Sequence, residues 1–316
     1  MRTNAGKLPI VSVSGTVWHP KGGAAAKISL NGEAVWLTGT GGITYNAKIG
    51  DLCADFVADH LEPGVTARNK EDDFNQAFTV LSCIGNEARI RSGDAKDERG
   101  FVTGKHGGCE HLIIYFSPET LEKLNIGDTI SIKATGQGLE LLDYPQIKMR
   151  SVSPALLEKM NFFGTGDTCV GATHSLEVGN GAGNGAGNNA GNDVSGGKKL
   201  RIGVSKIVPA KIMGSGIGHM STVRGDYDIT MADAETVEKY GLNDLRFGDI
   251  VAITDADTRF GRVYKQGACT IGVVVHGGSV IAGHGPGVTT LMTAAEPIIA
   301  PFLDANANLA EYFLCG

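Results

Sequence analysis

Short apolar runs that each border a glycine-rich turn set the limits on how this chain folds. Leu112-Ile113-Ile114-Tyr115-Phe116 follows the turn Gly104 to His111, Thr129 to Ala134 follows Gly127-Asp128, and Ile250 to Ile253 follows Gly248-Asp249. Val273-Val274-Val275 opens into His276-Gly277-Gly278. Apolar runs of roughly four to eight residues bounded by turn signals read as strands. Ile10-Val11-Ser12-Val13-Ser14 alternates with period two, as a half-buried strand does. Ala34-Val35-Trp36-Leu37 is a further strand candidate, and Phe74 to Ile84 is apolar enough to be buried.

Helical signals are few and short. Ser117 stands as N-cap before Pro118-Glu119-Thr120-Leu121-Glu122-Lys123-Leu124, with proline at the first helical position. Asp233 to Leu242 is a second helix candidate. The two resemble each other, Glu119-Thr120-Leu121-Glu122-Lys123 beside Glu235-Thr236-Val237-Glu238-Lys239, and each is followed by Gly-Asp and an apolar strand. A weak internal repeat is one reading; chance similarity of two common helix-turn-strand units is the other. The expected fold is α+β, mixed and β-rich. It has two intimately packed lobes with short helices, a β-rich lobe over 1–150 and a second lobe over 151–316. Val178 to Lys199 is a Gly/Asn/Ala tract with almost nothing to bury, expected as a flexible surface insertion.

At 316 residues the chain can bury a sizeable core. A formal net charge of -6 gives no general attraction to nucleic acid, and no basic stripe is interleaved with aromatics. No signal segment opens the chain and no apolar run reaches membrane-spanning length, so the expectation is a soluble, cytoplasmic protein without a membrane partner. Six cysteines lack any Cys-x-x-Cys pair and read as free thiols, with Cys109 alone placed where chemistry stays open.

Chemistry concentrates on the glycine-rich loops. His106, Glu110 and His111 crowd into one turn, where imidazole and carboxylate can bind a metal or move protons near neutral pH. Asp59, His60 and Glu62 stand together ahead of Pro63-Gly64 as a second ligand cluster, or as a turn whose side chains bond local backbone. Asp226 and Asp228 occupy Arg224-Gly225-Asp226-Tyr227-Asp228. Superposing the two helices places Glu110 and His111 opposite Asp226 and Tyr227. A buried strand delivers His276 into a His-Gly-Gly that echoes His106-Gly107-Gly108, and His284 sits in another glycine-rich turn. Four histidines on such loops predict that at least two share a site. Gly214-Ser215-Gly216 offers backbone N–H groups to an anionic ligand, or makes a tight structural turn. Asp255 and Asp257 alternate along an extended segment, suiting a hard cation or a solvated strand end.

Five segments, Asp59 to Gly64, Gly104 to Gly108, Ile212 to Gly216, Gly225 to Asp228 and Gly283 to Val288, resemble a prokaryotic domain-of-unknown-function family numbered 4438. That resemblance spans nearly the whole chain and implies a soluble, mixed α/β architecture, but no reaction and no catalytic residues. From residue chemistry, the expectation is a metal-assisted hydrolase or lyase acting on a small polar metabolite. A divalent metal ion is its expected cofactor. His106, Glu110, His111, Asp226 and Asp228 are the candidate catalytic groups, and Asp59, His60, Glu62, Asp255, Asp257, His276 and His284 the candidate metal ligands. The alternative is a non-catalytic small-ligand-binding or assembly protein, its glycine-rich loops shaping a pocket or a subunit interface. A homo-oligomer is expected in either case.

Overall fold

Six β strands, among them those expected around Val11, Ile113 and Ile130, close on themselves. The computed structural model describes residues 1–21, 26–164 and 199–315, so the Gly/Asn tract, apart from Lys199, lies outside the described residues. Val11–Val17, Thr129–Ala134, Glu87–Ile90, Arg99–His106, His111–Tyr115 and Gly64–Arg68 pair antiparallel in that order. Gly64–Arg68 then pairs back onto the first strand through Thr16–Arg68 and Val17–Ala67, which shuts the sheet into a barrel. Closure leaves no free edge to template further pairing. Alternation decides what points inward: Ile130, Ile132 and Ala134 are buried, whereas Lys133 is exposed. His111–Tyr115 is different, with Leu112, Ile113 and Ile114 all fully buried, because this strand is covered on both faces.

A second sheet supplies that cover. Its order is Lys148–Met149, Gly287–Ala294, Val263–His276, Ile250–Asp257 and Lys206–Pro209, with Asp226–Asp228 pairing the first residues of Gly287–Ala294. The pairing of Lys206–Pro209 with Ile250–Asp257 is parallel and the other pairings are antiparallel. Every residue of Gly287–Ala294 is buried, as befits a strand sandwiched between layers. One core runs from the barrel (Val65, Ile113, Ile130) into this sheet (Ile250, Ile271, Val273, Leu291), and a second packs Ile212, Tyr227, Phe247, Val251 and Val274 together. Where barrel and sheet meet, a Cβ on Gly104 would strike the Val275 side chain 2.6 Å away, so only glycine allows this approach. A third sheet joins Phe162–Gly164, Leu200–Val204 and Ile299–Leu303.

The short helices form where the caps are. Ser117 accepts a hydrogen bond from the Thr120 amide at the start of Pro118–Leu121. Ala234–Tyr240 starts on Asp233, which bonds the Thr236 amide, and ends on left-handed Gly241. The likeness between these units stops at helix, turn and strand, since Thr129–Ala134 is antiparallel to both neighbours whereas Ile250–Asp257 is parallel to one. Phe74 to Ile84 is not buried throughout. It belongs largely to an amphipathic helix, Asp72–Leu81, that buries Phe78 and leaves Phe74 exposed. No helix among the described residues is long and apolar enough to cross a membrane.

Candidate metal centre

The turns that join barrel to second sheet bring five imidazoles together. His60 and Glu62 lie just before the barrel strand Gly64–Arg68, while His106 and His111 end and begin the neighbouring hairpin strands and face each other in register. From the other side come Asp226 and Asp228, His276 at the end of its long strand, and His284 on the following loop. The His106 and His276 rings stack with centroids 4.2 Å apart, and His60 lies 5.1 Å from His276 and 4.9 Å from His284. His60 and Glu110 both adopt left-handed backbone, with φ of 58° and 56°. Such conformations persist where surrounding structure over-determines them, and they collect at functional sites.

Three of these imidazoles are oriented in the same way. His106 Nδ1 donates to Glu62 Oε1 at 2.5 Å, His276 Nδ1 donates to the Gly277 carbonyl at 2.9 Å, and His60 Nδ1 lies 3.2 Å from Asp59 Oδ1. Fixing Nδ1 with an acceptor sets the tautomer of the neutral ring and turns Nε2 to the cluster as the atom that a metal would take in place of a proton, the arrangement that metal-binding histidines use. Asp59 is held in turn by Lys27 and by Ser279 at 2.6 Å. Glu62 is buried and fully engaged, accepting from His106, from His111 Nδ1 at 3.1 Å, from the Gly41 amide at 2.8 Å and from Thr66.

Two adjoining donor groups result. His106, Asp226 and His276 form the buried one, and His60, Asp228 and His284 the outer one, in which His284 Nδ1 is 2.9 Å from His60 Nε2 and 3.2 Å from Asp228 Oδ2. Asp228 stands between them, its Oδ1 3.8 Å from His276 Nε2. Glu62, Cys109 and His111 make a third group. In the buried group Asp226 Oδ2 and His276 Nε2 approach to 2.6 Å, yet neither has a hydrogen-bond partner among the described residues. Asp226 Oδ1 meanwhile accepts from the Gly107 amide at 2.7 Å. An imidazole nitrogen and a carboxylate oxygen this close need a proton or a metal cation between them. A Cβ on Gly287 would collide with both atoms, so the strand there must be glycine.

The charges reinforce one another. Burial alone would lower the basicity of His106, but Asp226 and Glu62 outweigh it and hold its pKa up at about 9. His111 is likewise raised to about 9, burial being overcome by Cys109 and Glu62. Burial opposes ionisation of Asp226 and Asp228 too, but the imidazoles win and keep both below the ordinary carboxylate range. Cys109 is pushed up to about 11, chiefly by burial, and at neutral pH it is a thiol.

The cluster opens onto a cavity of about 370 Å³. Ser215 and Gly216 line it, whereas the Gly214 amide is spent on the Asp228 carbonyl and the Ser215 amide on the Gly283 carbonyl. Glu110 reaches the lip and pairs with Arg224 at 2.9 Å, so its carboxylate stands away from the donor groups. Asp255 and Asp257 also lie outside them. Asp255 accepts from the Gly267 amide across its hairpin, and Asp257 is taken by Arg259 at 2.9 Å. Among the cavity residues that the sequence reading did not single out is Arg262, a buried arginine just ahead of the long strand.

A closed barrel fused to a second β-sheet, with a buried His/Asp/Glu cluster at the seam, defines a two-lobed β-rich protein with a potential metal centre. The domain of unknown function DUF4438 matches in two parts, its N-terminal domain over residues 26–158 and its C-terminal domain over 191–313. The chain belongs to this family. The solved crystal structure of TM1086 is 40% identical, with a TM-score of 0.84 over 99% of each chain. No match was found among curated proteins.

Proposed function

We propose that this chain is a metal-assisted hydrolase or lyase acting on a small polar metabolite. One observation carries the reading: Asp226 Oδ2 and His276 Nε2 are buried 2.6 Å apart, an ion-pair contact too far out of line for a straight hydrogen bond. A shared proton would satisfy one such pair. Here a third donor, His106, converges on the same point, with its Nδ1 already committed to Glu62. Two imidazoles and a carboxylate suit a borderline transition ion such as Zn²⁺ better than the hard ions Ca²⁺ and Mg²⁺, and Mn²⁺, hard but a transition ion, stands between them.

Such an ion, when bound, polarises a substrate oxygen or acidifies water. The protein's own groups do the remainder. Glu62, Asp59 and the Gly277 carbonyl hold the imidazoles in one tautomer. Asp228 orients the proton carriers, since its Oδ2 faces His60 and His284 while its Oδ1 faces His276. His284, about one-third exposed, moves the proton to and from the cavity. Elemental analysis of the purified protein, as isolated and after incubation with Zn²⁺ or Mn²⁺, tests the metal. A stoichiometric ion that His276→Ala and Asp226→Ala each lose is the expected result, and no ion under either condition would overturn the reading.

A further inference from the structure

Arg262 is an oddity in this cavity. It is 3% exposed, its Nη1 donates to the Gly216 carbonyl at 3.3 Å, and its guanidinium lies 5.1 Å from the Tyr227 ring centroid. Its Nε and Nη2 have no hydrogen-bond partner among the described residues, and no carboxylate there pairs with it. Arg224, the other arginine on the lining, is already committed to Glu110. An unpaired buried guanidinium is costly, so native proteins keep one where something else completes it.

We propose that Arg262 is the recognition residue for an oxyanion, a carboxylate or a phosphate, carried by the substrate of this site. This rests on the metal reading above and adds to it the chemical class of the ligand. A guanidinium offers parallel N–H donors that match either oxyanion bidentately, and two of the Arg262 donor positions, Nε and Nη2, are buried without a partner. A cavity of about 370 Å³ holds a small metabolite, and Arg262 and the cluster residues His106, Asp226 and His284 line the same space.

Charge explains why the anion belongs with the metal. Arg262 feels Asp226 and Asp228 across the cavity, and in the metal-free protein those carboxylates partly offset its charge. A divalent cation held by Asp226 takes part of that compensation away. The cavity then has a cation on one side and a bare guanidinium on the other. An oxyanion between them satisfies both, so metal loading strengthens anion uptake.

Calorimetric titration of the full-length protein with inorganic phosphate and, separately, with malonate tests this, using chelator-treated and Mn²⁺-reloaded samples. One equivalent of at least one anion should bind the reloaded protein, more tightly than the chelated one. Arg262→Gln should weaken it by about 10- to 100-fold, the worth of charge-assisted hydrogen bonds. Phosphate alone binding marks a phosphorylated substrate, malonate alone a carboxylate, and both together the shared chemistry. If Arg262→Gln does not fold, Arg262→Lys decides, since a point charge without the planar fork should still weaken binding. Undiminished affinity in the folded variant, or no binding of either anion to Mn²⁺-loaded protein, would overturn the inference while leaving the metal reading intact. Arg262-dependent anion binding in a protein that takes up no Mn²⁺ would do the reverse.

Discussion

Glu62→Gln should unfasten the cluster while changing almost nothing in shape. Glu62 is 1% exposed and accepts four sets of donors, two of them imidazoles. A histidine raised from about 6.5 to about 9 contributes roughly 2–3 kcal/mol to folding near pH 7, so the pair carries about 5 kcal/mol. Glu62 shares that with Asp226 on His106 and with Cys109 on His111, so about half is its own. A glutamine amide keeps one acceptor but turns an N–H₂ towards groups that are themselves donors, and the total loss comes to about 3 kcal/mol. That agrees with the usual cost of breaking a buried ion pair, about 3–5 kcal/mol. In urea unfolding of chelator-treated protein the midpoint should drop by about 1 M or more near pH 7. Near pH 10 both imidazoles are neutral in the folded and unfolded states, and most of the difference should vanish. A shift below about 0.3 M at neutral pH, or one equally large near pH 10, would refute the reasoning.

Gly287→Ala should lower metal affinity by about 10- to 100-fold, because the new methyl group pushes Asp226 Oδ2 and His276 Nε2 apart; competition with a chelator measures this, and wild-type affinity would contradict it. Because the pKa values of His106 and His111 are raised on folding, the stability they give metal-free protein is complete below about pH 6.5 and lost as pH rises to about 9. Denaturant midpoints across that range check the sign, and added metal should reverse the loss because it takes up deprotonated imidazole. Asp257→Ala should cost about 0.2–1 kcal/mol, the worth of its partly exposed pair with Arg259, and leave metal stoichiometry unchanged; a lost equivalent of metal would return Asp257 to the site.

Much of this was legible in residue types and turn chemistry. The strands around Ile130 and Val273 follow from short apolar runs between glycines, and Ser117 and Asp233 cap the helices as their neighbours predict. Histidines on glycine-rich turns pointed to the cluster because those turns are what the fold brings to one seam. The Asp255–Asp257 segment carries the same acidic chemistry, yet it lies elsewhere because a hairpin contact and Arg259 satisfy it locally. Local satisfaction cannot be read from the carboxylates themselves.

What the sequence conceals is the division of labour inside the cluster. Asp59 and His60 are adjacent in sequence, and their pairing is a local fact. Glu62 reaches His106 only because Gly64–Arg68 pairs beside His111–Tyr115, and His111–Tyr115 is paired in register with the strand that ends at His106. His276 takes its acceptor from the next peptide, where no side chain marks it. The residues facing the seam therefore split by what holds them. Those whose hydrogen bonds are complete, such as Glu62, position others, and those left with an open atom, Asp226, His276 and Arg262, are where a ligand has something to gain. That distinction depends on packing geometry between segments far apart in the chain, which composition and spacing do not encode.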